Sequence, residues 1–245
     1  MASKTYITTS WDDGHPLDLR VADLLAKFDL SGTFYIPRAN EKPTLTDCEI
    51  RELSAAYEIG AHTLGHQVLT EVPLARAEAE ILGSKSWVEH VTGASCRMFC
   101  PPQGKYGRQH ILMAEKAGYV GFRSVALLSL DLPQRVGGIM LMPTTIQAHS
   151  HDAMAYARNT LKRAALRGIW RFITHGRSRD WPVLARSLAC EATTRGGVFH
   201  LWGHSWELQD NDQWDRLECI LALLGDLAKS AHSLTNGQLC AEERS

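Results

Sequence analysis

Two adjacent carboxylates, Asp12 and Asp13, stand between a tryptophan and a glycine in the segment SWDDGHP. One interpretation is a turn, because Asp-Gly is common turn chemistry in which the carboxylate accepts hydrogen bonds from nearby backbone groups. The other is a metal site in which one carboxylate binds a divalent cation and its neighbour stays free as a base towards water. Taken alone, the segment is more typical of a turn than of a catalytic pair.

Two histidines four residues apart, His62 and His66, form a second group in the segment AHTLGH. One helical turn would place both imidazoles on the same side, where they could share a divalent ion. An isolated HxxxH pair is more often a surface or packing feature. This pair, however, directly follows a predicted strand, and two imidazoles with one carboxylate leave positions of a zinc-like ion open, as catalytic sites require.

Two further segments carry groups that could take part in chemistry. FCPPQG, residues 99–104, is a proline-stiffened loop that either directs backbone N–H groups at a ligand or forms a rigid surface turn. GVFHLWGHSWEL places His200, Trp202 and His204 on one face of a strand, because side chains alternate with a period of two. Buried aromatic and histidine side chains often only pack. A histidine at the end of a strand is nevertheless a candidate general acid.

Strand patterns and helix patterns alternate along almost the whole chain. Strand patterns cover residues 5–11, 33–36, 58–62, 98–100, 119–125, 139–146, 170–174 and 197–202. Helical patterns cover residues 17–28, 74–91, 108–117, 153–166, 183–193 and 215–231. Another helix is expected from about Thr46, an N-cap residue with Glu49 at the three-residue spacing typical of a capping box. We expect the tail after Leu234 to fray. About seven β/α units without a linker predict a single domain over residues 1–245, built on a parallel sheet or barrel.

The four segments that carry candidate functional residues all lie at the ends of predicted strands. In β/α barrels, active sites lie at the C-terminal ends of the strands. The segments that fall there are 12–13, 62–66, 101–104 and His204. Their coincidence at one edge favours a common site over four unrelated turns.

Composition excludes several classes of partner. The chain has 245 residues, 44% of them hydrophobic and 22% charged, and a net charge of −1, which gives no electrostatic reason to expect nucleic acid or an anionic membrane as a partner. No apolar run reaches the roughly 18 residues of a membrane span, and the N-terminus enters a strand pattern without the apolar stretch of a signal peptide. The six cysteines form no CxxC pair and are expected to be reduced thiols. We therefore expect a cytoplasmic protein, while these patterns specify no oligomeric state.

The order and spacing of the motifs resemble those of the NodB-homology polysaccharide deacetylases, carbohydrate esterase family 4. SWDDG at residues 10–14 is similar to the first family motif, T-F-D-D-G, and HTLGH at residues 62–66 matches the second, H-[ST]-x-x-H. FCPPQG matches the third motif, F-R-P-P-Y-G, in part, and WGH at residues 202–204 is similar to the Leu-x-His that ends the last strand of the barrel. The resemblance covers roughly residues 5–206. It implies an α/β fold, a distorted (β/α) barrel of about seven parallel strands.

The resemblance also implies a reaction, the metal-dependent hydrolysis of a C–N amide bond. The expected substrate is an N-acetyl amino sugar, an oligosaccharide or a glycoconjugate intermediate. The roles carried over from the family assign Asp13, His62 and His66 to the metal, Asp12 to the general base, His204 to the acid that protonates the leaving amine, and Pro102, Gln103 and Trp202 to substrate binding. The Gln103 backbone N–H would stabilise the oxyanion, and Trp202 would line the pocket for the acetyl methyl. The ligand set suits Zn²⁺, although Co²⁺, Ni²⁺ or Mn²⁺ would also be accommodated.

The chain departs from the family pattern at one functional position. The arginine of the third motif, which in the family pairs with the catalytic aspartate, is Cys100 here, and the fourth motif has no convincing counterpart. We predict that Arg123, in the strand-like segment GFRSV, supplies the missing cation from the adjacent strand, with Arg97 as the other candidate. An ordinary surface arginine at position 123 is the alternative.

The lost arginine keeps two further functions open. The first is a hydrolase of ureides or cyclic amides on the same scaffold, since family members with such substrates often lose the sugar-binding motifs. The second is a carbohydrate-binding protein that has lost catalysis. The presence of both aspartates, both motif histidines and His204 argues against the second, because a binding protein has no need of a free base.

Overall fold

A computed structural model describes residues 4–150, 171 and 180–244 of the chain. The described strands are β1 (Thr5–Asp12), β2 (Thr33–Ile36), β3 (Glu58–Ala61), β4 (Met98–Phe99), β5 (Gly121–Arg123), β6 (Gln134–Val136), β7 (Ile139–Met142), β8 (Ile146–Gln147), β9 (Gly197–Gly203) and β10 (His232–Ser233). The described helices are α1 (Asp18–Lys27), α2 (Asp47–Leu53), α3 (Leu74–Thr92), α4 (Arg108–Lys116), α5 (Trp181–Arg195), α6 (Ser205–Asp210), α7 (Trp214–Ala228) and α8 (Asn236–Glu242).

The strands form one curled sheet in the order β6-β7-β5-β4-β3-β2-β1-β9-β8, and β10 pairs with the N-terminal part of β1. Among the described strands, only β6 and β7 pair in antiparallel fashion, and all the other pairs are parallel. The predicted α/β fold with a distorted, mostly parallel barrel is confirmed, although nine strands rather than about seven follow one another around it. Because β1, β3, β4 and β9 run in the same direction, their C-terminal ends meet at one edge.

Side chains of successive strand residues point to opposite faces of the sheet, so the core has two layers. Side chains of one parity, such as Ile7, Phe34 and Phe99, pack beneath the outer helices. Side chains of the other parity fill the inside of the barrel together with two residues of α8, and this inner cluster consists of Tyr6, Tyr35, Met98, Cys100, Met140, Met142, Val198, Leu239 and Cys240. The packing is tight at Gly121, where an added Cβ would lie 2.4 Å from Met98 Sδ and 2.9 Å from Cys240 Sγ. Arg123 follows on the same face of β5, directly above this cluster.

The expectation that the tail frays after Leu234 is wrong. Thr235 caps α8 with a complete capping box, in which its hydroxyl accepts from the Gln238 N–H at 3.2 Å and Gln238 Oε1 accepts from the Thr235 N–H at 2.9 Å. The buried Asn236 then accepts a hydrogen bond from the Tyr35 hydroxyl at 2.9 Å and donates one to Thr8 Oγ1 at 2.8 Å. The helix therefore closes the lower end of the barrel.

Other elements agree closely with the sequence patterns or divide them. The capping box of Thr46 and Glu49 is present at the start of α2, and the predicted strand over residues 139–146 is two strands, β7 and β8, separated by Pro143. The predicted helix at 153–166 and the predicted strand at 170–174 lie outside the described residues, apart from Arg171. All six cysteines are free thiols. Across residues 4–150, 171 and 180–244, none of the helices combines the length and apolar character that crossing a membrane demands.

Candidate metal centre and active site

One cleft of about 440 Å³ opens at the C-terminal edge of the sheet. The predicted site residues that line it are Asp12, Asp13, His62, His66, Gln103, Trp202 and His204. Pro101 rather than Pro102 contributes to the wall, and Pro102 is buried beside it. Arg123 lies beneath the cleft, against Asp12. Gln103 adopts a left-handed conformation, with φ of 55°, where the proline-stiffened loop turns at the rim.

The backbone of the DDG segment separates the two carboxylates. Asp13 has a φ of 80° and Gly14 a φ of 61°, so the chain turns sharply as it leaves β1. A Cβ at position 14 would lie 2.5 Å from Ile36 Cγ2, which explains why glycine follows the acids. Asp12 still belongs to the strand and points to the inner face of the barrel, whereas Asp13 reaches the loop that carries the two histidines.

Asp13, His62 and His66 converge on one point. Asp13 Oδ1 lies 3.0 Å from His66 Nε2 and 3.6 Å from His62 Nε2. Neither approach has hydrogen-bond geometry, and Asp13 Oδ1 is a buried atom without a hydrogen-bond partner among the described residues. Burial raises the pKa of Asp13, but without a metal the protonated imidazoles of His62 and His66 lower it more, and it lies well below its usual value.

The tautomer of His62 shows what this point requires. Its Nδ1 lies 2.7 Å from the Cys100 carbonyl oxygen, which can only accept, so Nδ1 carries the proton. In the neutral ring the lone pair of Nε2 therefore faces the Asp13 carboxylate, and two electron-rich atoms face each other unless a cation lies between them. Ligand atoms of the three residues lie within 4.8 Å of one another. Two imidazole nitrogens and one carboxylate oxygen are donors that suit a divalent metal such as Zn²⁺. The Cys100 carbonyl fixes the His62 ring, as outer partners of metal-binding histidines do.

The two histidines reach this position from the loop that follows β3, as their place after a predicted strand suggested, and not from a turn of helix. Thr63 and His66 adopt positive φ values of 65° and 50°, which fold the segment back on itself. Glu80 of α3 holds the loop, since its Oε2 accepts hydrogen bonds from the backbone N–H groups of Leu64 at 2.8 Å and Gly65 at 2.9 Å. Glu80 was not predicted as a site residue, although an acidic residue within the buried stripe of a helix was a signal for it.

Arg123 supplies a cation beside Asp12. Its Nη2 contacts both carboxylate oxygens of Asp12, and the guanidinium is completely buried. The rings of Tyr35 and Trp202 lie 5.2 Å and 4.8 Å from the guanidinium carbon, so aromatic faces replace water around the charge. Arg97, the other candidate, is exposed.

Cys100 lies on the other side of Asp12, where the family pattern places an arginine. Its Sγ is 4.0 Å from Asp12 Oδ2. Burial raises the pKa of the Cys100 thiol well above its usual value, so the side chain is neutral and cannot replace the positive charge. The cation that faces Asp12 therefore comes from β5.

His204 stands on the opposite side of the cleft and is held by a carboxylate. Its Nδ1 is 2.7 Å from Glu207 Oε2, and the same oxygen accepts a hydrogen bond from Gln147 Nε2 at 2.8 Å. Burial lowers the pKa of His204, but the hydrogen bond to Glu207 and the charges of Asp12 and Asp13 raise it more, and the net shift is upwards. Sequence reasoning missed Glu207 and Gln147, although Glu207 follows His204 at the (i, i+3) spacing of a helix start.

His200, which shares the strand face with Trp202 and His204, is turned away from this chemistry. Its Nδ1 lies 3.0 Å from the Pro143 carbonyl oxygen and its Nε2 2.8 Å from Ser10 Oγ. Burial, followed by the charge of Arg123, lowers the pKa of His200 to about 3. The imidazole is therefore neutral and connects β1 to β9 within the barrel.

Comparison with known sequences relates the N-terminal half of the chain to one family. Residues 2–122 match the sequence model of the family described as Polysaccharide deacetylase. A search of curated protein sequences finds no match.

Solved structures share the fold over nearly the whole chain. A putative polysaccharide deacetylase from Mycobacterium smegmatis is 14% identical, with 99% of this chain and 91% of that chain covered and a TM-score of 0.71. The chitin deacetylase of the fungal pathogen Colletotrichum lindemuthianum is 13% identical, with 98% and 88% covered and a TM-score of 0.60. A pseudoenzyme of carbohydrate esterase family 4 from Bacillus anthracis is 13% identical, with 98% and 66% covered and a TM-score of 0.58. Because both deacetylases and a pseudoenzyme share this fold, activity has to be argued from the side chains.

Proposed function

We propose that this chain, whose residues 2–122 match the sequence model of the polysaccharide deacetylase family, is a metal-dependent hydrolase that removes the acetyl group from an N-acetylated amino sugar. The observation that carries the proposal is the unpartnered oxygen of Asp13 facing two imidazole nitrogens. A base with its own cation, Asp12 with Arg123, flanks this point, and a carboxylate-supported histidine, His204, faces it. A protein that only binds carbohydrate has no need of all three features.

Asp13, His62 and His66 would hold the metal. When bound, a divalent ion polarises the amide carbonyl and makes water more acidic. Asp12 accepts the proton of the attacking water, and Arg123 keeps the carboxylate in place and compensates its buried charge.

The leaving nitrogen is protonated from the other side of the cleft. The hydrogen bond between Glu207 and Nδ1 of His204 orients the ring and favours its charged form, which places a proton on Nε2, 4.0 Å from Asp13 Oδ2. The backbone N–H of Gln103 would stabilise the negative oxygen of the tetrahedral state, and Trp202 would line the pocket for the acetyl methyl. The C–N bond then breaks, and acetate and the free amine leave.

Removal of the metal is expected to abolish turnover. Protein treated with a chelator should release no acetate from N-acetylglucosamine oligosaccharides, and added Zn²⁺ should restore release, because a catalytic metal supplies several kcal/mol of stabilisation to the transition state. Acetate is measured by a coupled enzymatic assay. Acetate release that is indifferent to the chelator would contradict the proposal.

A second candidate, hydrolysis of a ureide or cyclic amide, is favoured by one observation, the departure of Cys100 from the third motif. The same preparation should therefore be offered hydantoin-type and ureide substrates, with the ring-opened product measured by liquid chromatography. Ring opening without acetate release would identify this second activity. If the protein forms neither product and binds no Zn²⁺, the result favours the third alternative, a carbohydrate-binding protein that has lost catalysis.

Replacing Glu207 with glutamine is expected to move the alkaline limb of the kcat profile to lower pH. The Glu207 carboxylate raises the pKa of His204 in the folded protein, so its loss lowers that pKa and the acid is deprotonated earlier as pH rises. On this alkaline limb we expect kcat to fall by about 10- to 100-fold, within the usual contribution of a general acid. Asp210→Asn removes a charge from the exposed end of the same helix and is the matched control. An unchanged limb in Glu207→Gln would show that the carboxylate does not act through His204.

A further inference from the structure

Trp206 contacts the metal-binding carboxylate directly. The residue belongs to α6 and lies two positions after His204. Its indole Nε1–H donates a hydrogen bond of 2.9 Å to Asp13 Oδ2. Asp13 therefore has two differently used oxygens, because Oδ1 faces the imidazoles of His62 and His66 while Oδ2 faces the indole.

The indole is held in place from two directions. The ammonium of Lys42, in the loop after β2, lies 4.0 Å from the centre of the Trp206 ring. At the start of α6, the buried hydroxyl of Ser205 donates a hydrogen bond of 2.5 Å to Asp18 Oδ1 in α1. The ring stands where the cleft meets a second, polar cavity of about 510 Å³ that is also bordered by Asp13 and Lys42.

We propose that Trp206 is a positioning residue for the metal, and this inference rests on the metal site of the proposed function. A hydrogen bond to Oδ2 fixes the rotation of the Asp13 carboxylate, so that one oxygen is presented to the ion together with the two imidazoles. Outer partners of this kind orient the ligands before the metal arrives, and their loss typically lowers metal affinity by about 10- to 100-fold. Lys42 acts less directly, since it contacts the Trp206 ring and not the Asp13 carboxylate.

The test is a Zn²⁺ titration of the full chain in competition with a chromophoric chelator, with no substrate present. Trp206→Phe keeps an aromatic ring and removes the donor, and we expect Zn²⁺ affinity to fall by about 10- to 100-fold. Trp202→Phe is the matched control for affinity, because the Trp202 indole nitrogen in the same cleft has no hydrogen-bond partner among the described residues. We expect Trp202→Phe to bind Zn²⁺ like the wild type, and Lys42→Met to show a smaller loss than Trp206→Phe.

A near-isosteric variant separates the hydrogen bond from packing. Benzothienylalanine at position 206 replaces the N–H with sulfur at almost unchanged shape, so it should reproduce the loss of affinity even if Trp206→Phe folds poorly. Wild-type affinity in the benzothienylalanine variant would overturn the inference, and so would a wild-type chain that binds no Zn²⁺. Failure of the proposed function has a different signature, in which the wild type binds Zn²⁺, the variants bind it more weakly, and no acetate is released.

Discussion

Replacing Arg123 with methionine is expected to lower kcat for amide hydrolysis by about 100-fold or more and to destabilise the fold by about 3–5 kcal/mol. The guanidinium is completely buried and contacts both oxygens of Asp12. Its removal leaves a buried carboxylate without compensation and free to rotate, and displacement of a catalytic group by about 1 Å is enough for a loss of that size. The measurements are kcat across pH and the free energy of unfolding in urea.

Two further variants make this prediction specific. Arg97→Met removes an arginine from the exposed end of the neighbouring strand and is expected to leave kcat unchanged. The double variant Cys100→Arg with Arg123→Met returns the cation to the position it has in the family pattern. Because Cys100 Sγ already lies 4.0 Å from Asp12 Oδ2, we expect this pair to recover part of the lost turnover. If Arg123→Met keeps the turnover and pH profile of the wild type, the cation has no part in catalysis.

The sequence predicted which residues meet in the cleft better than it predicted the contacts between them. Asp12, Asp13, His62 and His204 each follow a recognisable strand, and parallel strands bring their C-terminal ends to a common edge whatever the details of packing. The same periodicity predicted that Trp202 and His204 share a face of β9. Such inferences need only the direction of each strand and the alternation of its side chains.

Contacts that depend on register and closure of the barrel were harder to predict. Arg123 and Asp12 are 111 residues apart, and Arg123 was predicted only because the family pattern leaves Asp12 without a cation. Trp206 and Asp13 are 193 residues apart, and no spacing links an indole to a carboxylate over such a distance. The contact between Trp206 and Asp13 depends on β1 lying next to β9, which no local pattern specifies.

A different cause explains two segments whose conformation departs from their local pattern. The capping box at Thr235 and Gln238 was present in the sequence, yet α8 is short, and its stability comes from burial of Leu239 and Cys240 inside the barrel. The loop of His62 and His66 likewise has helical spacing but is held in another conformation by the buried Glu80. In both cases tertiary contacts decide the conformation of a segment too short to decide it alone.

Asparagine at position 12 is expected to lower kcat by about 10²- to 10⁴-fold while leaving Zn²⁺ affinity close to that of the wild type. Asp12→Asn keeps the shape of the side chain and removes the base, whereas the three metal-binding groups are untouched. The matched variant lies one residue further along, since Asp13→Asn makes the same chemical change in the ligand. We expect Asp13→Asn to lose Zn²⁺ binding. Both quantities are measured on the same preparations, by chelator competition and by acetate release.

The losses expected for Arg123→Met and Asp12→Asn are linked, and a double-mutant cycle tests the link. If Arg123 acts on the reaction through Asp12, then adding Arg123→Met to Asp12→Asn should cost little further activity, because residues that act as a unit are strongly non-additive. Additive losses would mean that Arg123 affects the reaction by a route that does not pass through Asp12. Stability should show the complementary effect, since the double variant removes both buried charges and is expected to be more stable than Arg123→Met, which leaves one carboxylate unpaired. The cycle therefore distinguishes a cation that serves the base from one that serves only the fold.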